Sequence, residues 1–256
     1  MATALAKGLI HTGVCRAPDI TASDVSPEQL EHFGNTTNAN VCESNADTVQ
    51  ESDVVILAVK PDHVSEVLES IREVFQTQLL ISIAAGVTLE KLERGLPAGS
   101  RVVRVMPNTP ALVGCGAAAF ALGRSAGPKD AQAAEAILNA VGISFQVPES
   151  QLDAVTGLSG SGPAYIYHVI EALARAGAQL GIDPAVALKL SAQTVQGAAK
   201  MVLDTGKSPQ ELVDMVTSPG GTTVEGMAVL KDRKAQEVFI DAVKAAARKS
   251  KELGQK

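Results

Sequence analysis

The first half of the chain alternates short aliphatic and β-branched runs with stretches whose apolar positions recur at helical spacing, the rhythm of βαβ units on a parallel sheet. Residues 54–59 and 79–83 are continuous apolar runs, and Arg101–Met106 is apolar with charged interruptions. Unbroken apolar strands are what a sheet covered on both faces requires. Shorter strands are expected at 20–22, 117–121 and 144–147. The intervening helices are expected at 2–11, at 26–33 behind Ser26 and Pro27, at 63–75, at 89–94, and over an Ala-rich segment, 129–141, that Gly142 ends. Beyond about residue 150 no strand pattern remains and capped helices follow one another. Gly162-Pro163 opens a helix that Gly181 stops, and Asp183-Pro184 opens one that Gly206 stops. Ser208 with Glu211, and Thr222 with Glu225, read as capping boxes, and 231–253 forms the last helix. The expectation is an α/β domain of the doubly wound kind over residues 1–150, then an all-α domain over 151–256.

Composition sharpens this. Hydrophobic residues make up 46% of the chain but aromatics only 3%, with no Trp, so the cores must be filled by Ala, Val, Leu and Ile, which suits close-packed helices and parallel strands. The Ala/Gly-rich stretches 172–178 and 192–199 let helix backbones approach closely, as at an interface between subunits. A formal charge of −6 argues against nucleic acid or an anionic membrane as partner, since both are bound by a clustered positive field. Cys15, Cys42 and Cys115 are odd in number and far apart, and read as reduced, buried small hydrophobes. His11, His32, His63 and His168 stand apart from any nucleophile or ligand spacing, so neither a hydrolase triad nor a metal cluster is expected. No run approaches the roughly 20 apolar residues of a membrane span. Residues 1–9 are too short and too weakly apolar for a signal peptide, and the expected compartment is the cytoplasm.

Ligands of doubly wound sheets bind beyond the carboxyl ends of the strands. Three such ends stand out: Lys60-Pro61 after 54–59, Ala84-Ala85-Gly86 after 79–83, and Pro107-Asn108-Thr109-Pro110 after Arg101–Met106. Small residues after two neighbouring strands leave room for a flat ring, although Gly86 or Pro107 alone equally makes a plain turn. The strand at 20–22 ends in Ser23-Asp24, where a dinucleotide-binding unit places the group that meets the adenosine ribose. An acid suits a free 2′-hydroxyl and a hydroxyl suits a 2′-phosphate, so the choice between NADH and NADPH stays open, and Asp24 with Ser26 equally serves as a helix cap. Gly157–Pro163 reads as a Gly/Ser loop opening a helix, with no Walker lysine. Ser218-Pro219-Gly220-Gly221-Thr222-Thr223 is more informative. Two glycines feed directly into a helix start, so the N–H groups of residues 221–223 point toward a carboxylate, and the Thr223 hydroxyl lies one step inside that helix.

Taken together these loops resemble pyrroline-5-carboxylate reductase. Ala58-Val59-Lys60-Pro61, Ala84-Ala85-Gly86-Val87, Met106-Pro107-Asn108-Thr109-Pro110, the stretch from Thr156 through Gly162-Pro163-Ala164-Tyr165, and Asp214 through Thr223 match in order and spacing over essentially the whole chain. The Ser-Pro-Gly-Gly-x-Thr stretch is the specific one; the strand-end loops are shared by many dehydrogenases. The resemblance implies an α/β, Rossmann-like dinucleotide-binding domain followed by an all-α dimerisation and substrate domain, and a homodimer or larger homo-oligomer in which one subunit's helical domain completes another's site. It implies reduction of 1-pyrroline-5-carboxylate to L-proline with NADPH or NADH. Ser23 and Asn45 would lie near the adenosine end, Ala58, Val59, Lys60, Pro61, Ala84, Ala85, Gly86 and Asn108 along the cofactor, and Gly220, Gly221, Thr222 and Thr223 at the substrate, with Thr223 the catalytic hydroxyl. Two alternatives accompany this reading: a related imine or β-hydroxy-acid reductase, for which a helical-domain lysine would be expected, and a catalytically silent oligomerising fragment of the same fold.

The family pattern opens with an apolar strand and a Gly-x-Gly-x-Met-Ala turn whose last two residues correspond to Met1-Ala2. The first domain is therefore expected to be incomplete by roughly a dozen residues. Unpaired edges are expected beside the strands around Ile20 and Val54, with cofactor binding weakened by about two to four orders of magnitude.

Overall fold

The apolar runs of the first half pair into two sheets in the computed structural model, which describes residues 1–254. Gln255 and Lys256, the end of the expected second domain, lie outside the described residues. Packing divides the described chain into two units, residues 1–161 with the chain from Ala245, and Gly162–Lys244.

The first unit begins with α1 (Ala2–His11), β1 (Thr21–Ser23), α2 (Pro27–Thr37), β2 (Asn40–Cys42) and α3 (Asn45–Gln50). β1 and β2 pair in parallel, Thr21 opposite Asn40, as a two-stranded sheet of their own. Then come β3 (Val54–Leu57), α4 (Val64–Ile71), β4 (Leu79–Ser82), α5 (Leu89–Gly95), β5 (Arg101–Met106), β6 (Gly116–Leu122), α6 (Pro128–Asn139) and β7 (Gly142–Gln146). These five strands form one sheet in the order β3-β4-β5-β6-β7. Among the described residues β1 pairs only with β2 and β3 only with β4, so each keeps one edge unpaired. β5 and β6 are antiparallel and the other pairs parallel, because the 3₁₀ turn Thr109–Val113 is too short for the crossover a parallel pair needs.

The continuous apolar runs end up where their pattern requires. β4 is buried along its whole length and β5 from Val102 to Val105. Alternate residues serve opposite faces. Leu80 and Val102 join Leu68, Ile71 and Leu92 of α4 and α5, whereas Leu79, Ile81, Val103 and Val105 join Leu5 of α1 and Leu138 of α6. Each fully buried aliphatic side chain contributes about 1.5–3 kcal/mol.

Several boundaries differ from expectation. The segment from Asn40 to Gln50 supplies a strand and a helix that its polar sequence did not announce. Gly142 does not end a helix. α6 stops at Asn139, and Gly142 opens β7, where a side chain would run into the Gly116 backbone of β6. The Gly/Ser segment is wound rather than looped: α7 (Leu152–Val155) continues into a π-helical turn, Thr156–Gly160. Thr156 and Ser159 return their hydroxyls to the carbonyls of Leu152 (2.8 Å) and Val155 (3.2 Å), which satisfies the turn locally. The cysteines are free but not buried, since Cys15 and Cys42 are half-buried and Cys115 is exposed in the short connection before β6.

The second unit holds α8 (Gly162–Gln179), α9 (Pro184–Thr205), α10 (Pro209–Met215), α11 (Thr222–Asp232) and the first half of α12 (Ala235–Gly254). Asp183 accepts the N–H groups of Ala185 and Val186, and Gly206 closes α9 at φ 66°. Ser208 and Glu211 form the expected box, and the Ser208 hydroxyl and N–H hold the Glu211 carboxyl below its usual range. The second box is not made: Gly221 is the N-cap of α11 and no side chain caps it. The last helix is also split from the one before it, at Arg233-Lys234, where Lys234 takes φ 52°. α8 and α9 pack on each other, yet α8 buries no residue and α9 buries only Ala187 and Ser191. No described helix is long and apolar enough to cross a membrane.

Asn108 ties the turn after β5 to two neighbours. Its Nδ2 donates to the Ser159 carbonyl (3.1 Å), and its Oδ1 accepts the Ala117 N–H (2.9 Å). The residue is buried, so Asn108→Ala leaves both partners short of a bond. The expected loss is about 2 kcal/mol, read as a lower urea midpoint for the first unit.

Candidate functional site

In the parallel part of the sheet the carboxyl ends of three strands lie side by side, with Leu57 opposite Ser82 and Ser82 opposite Arg104. The chain leaves them through Ala58-Val59-Lys60-Pro61, Ala84-Ala85-Gly86 and Pro107-Asn108, so the turns singled out from sequence emerge along one edge. Lys60 is extended (φ −63°, ψ 149°) and Pro61 starts the 3₁₀ turn that leads into α4. Ala84 is buried, and its N–H meets Ser82 Oγ at 3.4 Å, while Ile83 donates to the Leu57 carbonyl at 3.0 Å. Gly86 follows at φ 76°, a conformation that favours glycine.

Beyond these turns lies a groove of about 1310 Å³ within the first unit, lined among others by Pro61, Ala85, Gly86, Thr88, Arg72 and Lys91. It includes three of the residues expected along the cofactor. Asn108 does not line it, its amide being engaged with Ser159 and Ala117.

At the end of β1 the Ser23 hydroxyl donates to Asn45 Oδ1 at 2.7 Å, which joins the two residues expected at the adenosine end. Asn45 sits at the start of α3, a helix the sequence pattern did not reveal. Asp24 turns away and accepts the Ser26 N–H at 2.8 Å, while Ser26 Oγ accepts that of Gln29 at 3.4 Å. The carboxylate beside Ser23 is thus occupied in starting α2.

The Gly220–Thr223 turn belongs to the second unit. Gly220 takes φ 71°, and the Gly221 N–H is consumed by the Ser218 carbonyl at 2.9 Å. Of the three N–H groups expected to face a carboxylate, those of Thr222 and Thr223 make no hydrogen bond among the described residues. They form the first turn of α11, where helix geometry leaves N–H groups unpaired.

One cluster was not anticipated. Glu149, at the 3₁₀ turn after β7, accepts on a single Oε1 both Arg104 Nη1 (2.8 Å) and the backbone N–H of Leu89 (2.7 Å). Its partners lie 45 and 60 residues away in sequence, so no local pattern reports it. Among the described residues no group of three or more His, Cys, Asp or Glu is placed to hold a metal ion.

A family profile described as pyrroline-5-carboxylate reductase dimerisation matches residues 149–253, and one described as NADP oxidoreductase coenzyme F420-dependent matches residues 1–86. The pyrroline-5-carboxylate reductase of Methanosarcina acetivorans is 49% identical over 257 aligned residues, covering 100% of this chain and 95% of that protein. The solved structure of the Coxiella burnetii pyrroline-5-carboxylate reductase superimposes with a TM-score of 0.94 at 38% identity, covering 98% of this chain and 94% of that one. The crystal structure of the Plasmodium falciparum pyrroline carboxylate reductase with NADP bound does so with a TM-score of 0.87 at 33% identity, covering 98% and 94%. With the ordered strand-end turns and the Gly220–Thr223 helix start already in place, this chain belongs to the pyrroline-5-carboxylate reductase family.

Proposed function

We propose that the protein reduces 1-pyrroline-5-carboxylate to L-proline with NAD(P)H, the last step of proline biosynthesis. The observation that carries this reading is the start of α11 in a member of this family, where the N–H groups of Thr222 and Thr223 have no partner among the described residues and Thr223 bears a hydroxyl in the same first turn. Thr222 and Thr223 hold the substrate carboxylate through those N–H groups, at the positive end of the helix. Gly220 and Gly221 shape the turn, and Gly220 supplies its left-handed corner. Thr223 Oγ hydrogen-bonds the ring nitrogen. The C5=N bond becomes C5–H and N–H as the carbon takes a hydride and the nitrogen a proton.

The residues present fit the dinucleotide. Side chains no larger than a methyl at Ala84, Ala85 and Gly86 leave a flat ring free to lie along the backbone, with Ala58, Val59, Lys60 and Pro61 beside them, and Asn108 acts through the turn it secures. The hydroxyl of Ser23, held by Asn45 and free of competition from Asp24, suits a 2′-phosphate. When bound, the reduced nicotinamide supplies the hydride; the protein positions the two rings and fixes the carboxylate.

In this reading residues 1–150 form the dinucleotide-binding domain and 151–256 the dimerisation and substrate domain. A second copy of the chain covers the exposed Ile166, Tyr167, Leu173, Val186, Leu188 and Leu190 of α8 and α9, an apolar area that water would otherwise contact. A cytoplasmic setting accords with three free cysteines.

A pyrroline-5-carboxylate-dependent NADPH oxidation assay of the purified chain tests the reaction. Thr223→Ala is expected to lower kcat/KM roughly 5- to 150-fold, equivalent to about 1–3 kcal/mol; a change within twofold removes Thr223 from the mechanism. Ser23→Asp sets a carboxylate against the 2′-phosphate and is expected to weaken NADPH more than NADH, and equal losses would assign Ser23 a purely structural role. Light scattering at micromolar concentration is expected to show a dimer or larger assembly. Ala176→Leu, on the exposed face of α8, is expected to weaken assembly by about 1–3 kcal/mol.

A further inference from the structure

We infer that Glu149 is a positioning residue for the cofactor turn between β4 and α5, an inference that rests on the reading of residues 84–86 given above. That turn has two ends. At its entry Ile83 and Ala84 are tied to the Leu57 carbonyl and to Ser82 Oγ. At its exit the backbone N–H of Leu89, the first residue of α5, donates to Glu149 Oε1 at 2.7 Å, and the same oxygen receives Arg104 Nη1 at 2.8 Å. Ala85 and Gly86 lie between these ties, and Gly86 is three residues from Leu89.

The anchor behind Glu149 is rigid. Arg104 lies in β5, in register with Ser82 of β4 and Ala121 of β6, and its side chain is only 9% exposed. A carboxylate held there therefore fixes the exit of the turn relative to the strands from which it departs. The chain that follows Glu149 reaches the π-helical turn whose Ser159 carbonyl receives Asn108 Nδ2. One segment, 149–160, thus restrains the turns after β4 and after β5 alike. Glu149 does not line the groove, so it acts through the backbone of residues 84–88. A displacement of about 0.5–1 Å is enough to misplace a bound ring.

The test separates cofactor from substrate. Kd for NADPH is measured by fluorescence titration, and KM for NADPH, KM for pyrroline-5-carboxylate and kcat by steady-state assay. Glu149→Ala is expected to raise Kd and KM for NADPH about tenfold, with kcat and the other KM within about twofold. Glu149→Gln keeps an oxygen for the Leu89 N–H and is expected to recover cofactor affinity to within about threefold. If Glu149→Ala does not fold, the double variant Arg104→Met with Glu149→Leu removes the tie without stranding a buried charge, and it is expected to show the same tenfold loss. Parental NADPH affinity in a folded variant lacking the acceptor overturns the inference. So does failure of Glu149→Gln to recover, or an equal loss in kcat and both KM values. A parent chain that binds NADPH but does not reduce pyrroline-5-carboxylate defeats the proposed reaction while the titration still decides this one. A parent that does not bind NADPH overturns both.

Discussion

A guanidinium in the middle of a buried strand imposes the constraint on which the first unit depends. Arg104 stands in β5 between apolar neighbours, with Val103 and Val105 packed into the core. A charge removed from water needs a counter-charge and satisfied hydrogen bonds, and taking away one partner of such a pair costs about 3–5 kcal/mol when burial is complete. Glu149 meets the need while keeping a side chain 34% exposed, which lowers that figure through screening. Because its oxygen also receives the Leu89 N–H, one ion pair fixes β5, the start of α5 and the chain leaving β7. The other charge in β5 behaves alike. Arg101 pairs with Asp130 at 2.7 Å, and Asp130 also accepts the Gly127 N–H at the start of α6. The charged interruptions of this strand are therefore its ties to the helices around it.

Legibility followed the range of the interaction. Runs such as 79–83 are legible because burial on two faces writes itself into consecutive residues, and helix starts at Ser26, Asp183 and Ser208 because a cap is local chemistry. β2 and α3 escaped because Asn40–Gln50 has neither an apolar run nor an apolar stripe; parallel pairing to β1 holds the strand there. The π-helical turn at Thr156–Gly160 was hidden by glycines and serines that usually signal a loop. Here Asn108 and the hydroxyls of Thr156 and Ser159 supply what composition lacks. Thr222 offered the residues of a capping box, but Gly221 reached the N-cap position first.

The candidate site divided the same way. The strand-end turns and the Gly220–Thr223 segment are legible because small residues and paired glycines leave a trace in the sequence. The consumption of the Gly221 N–H by Ser218 and the pairing of Ser23 with Asn45 were not visible. Both depend on how a turn closes, not on which residues compose it. Asp24 left two readings open in sequence, ribose ligand or helix cap, and the bond to Ser26 favours the cap.

The helical unit raises the opposite problem to the sheet, having apolar residues in excess of what it hides. Of Gly162–Lys244 only Ala187 and Ser191 are buried, while Leu188 and Leu190 are each more than half exposed and Leu203 is 71% exposed. A helical hairpin buries one stripe per helix, and Gly177 against Ala187 brings α8 and α9 close along that stripe. Everything apolar on the remaining faces gains nothing from the monomer. At about 25 cal/mol per Å² of apolar area removed from water, faces of this kind favour association with another surface of the same character. A second copy offers one by symmetry. The Ala and Gly residues that make these helices poor fillers of their own core make them well suited to close approach between copies.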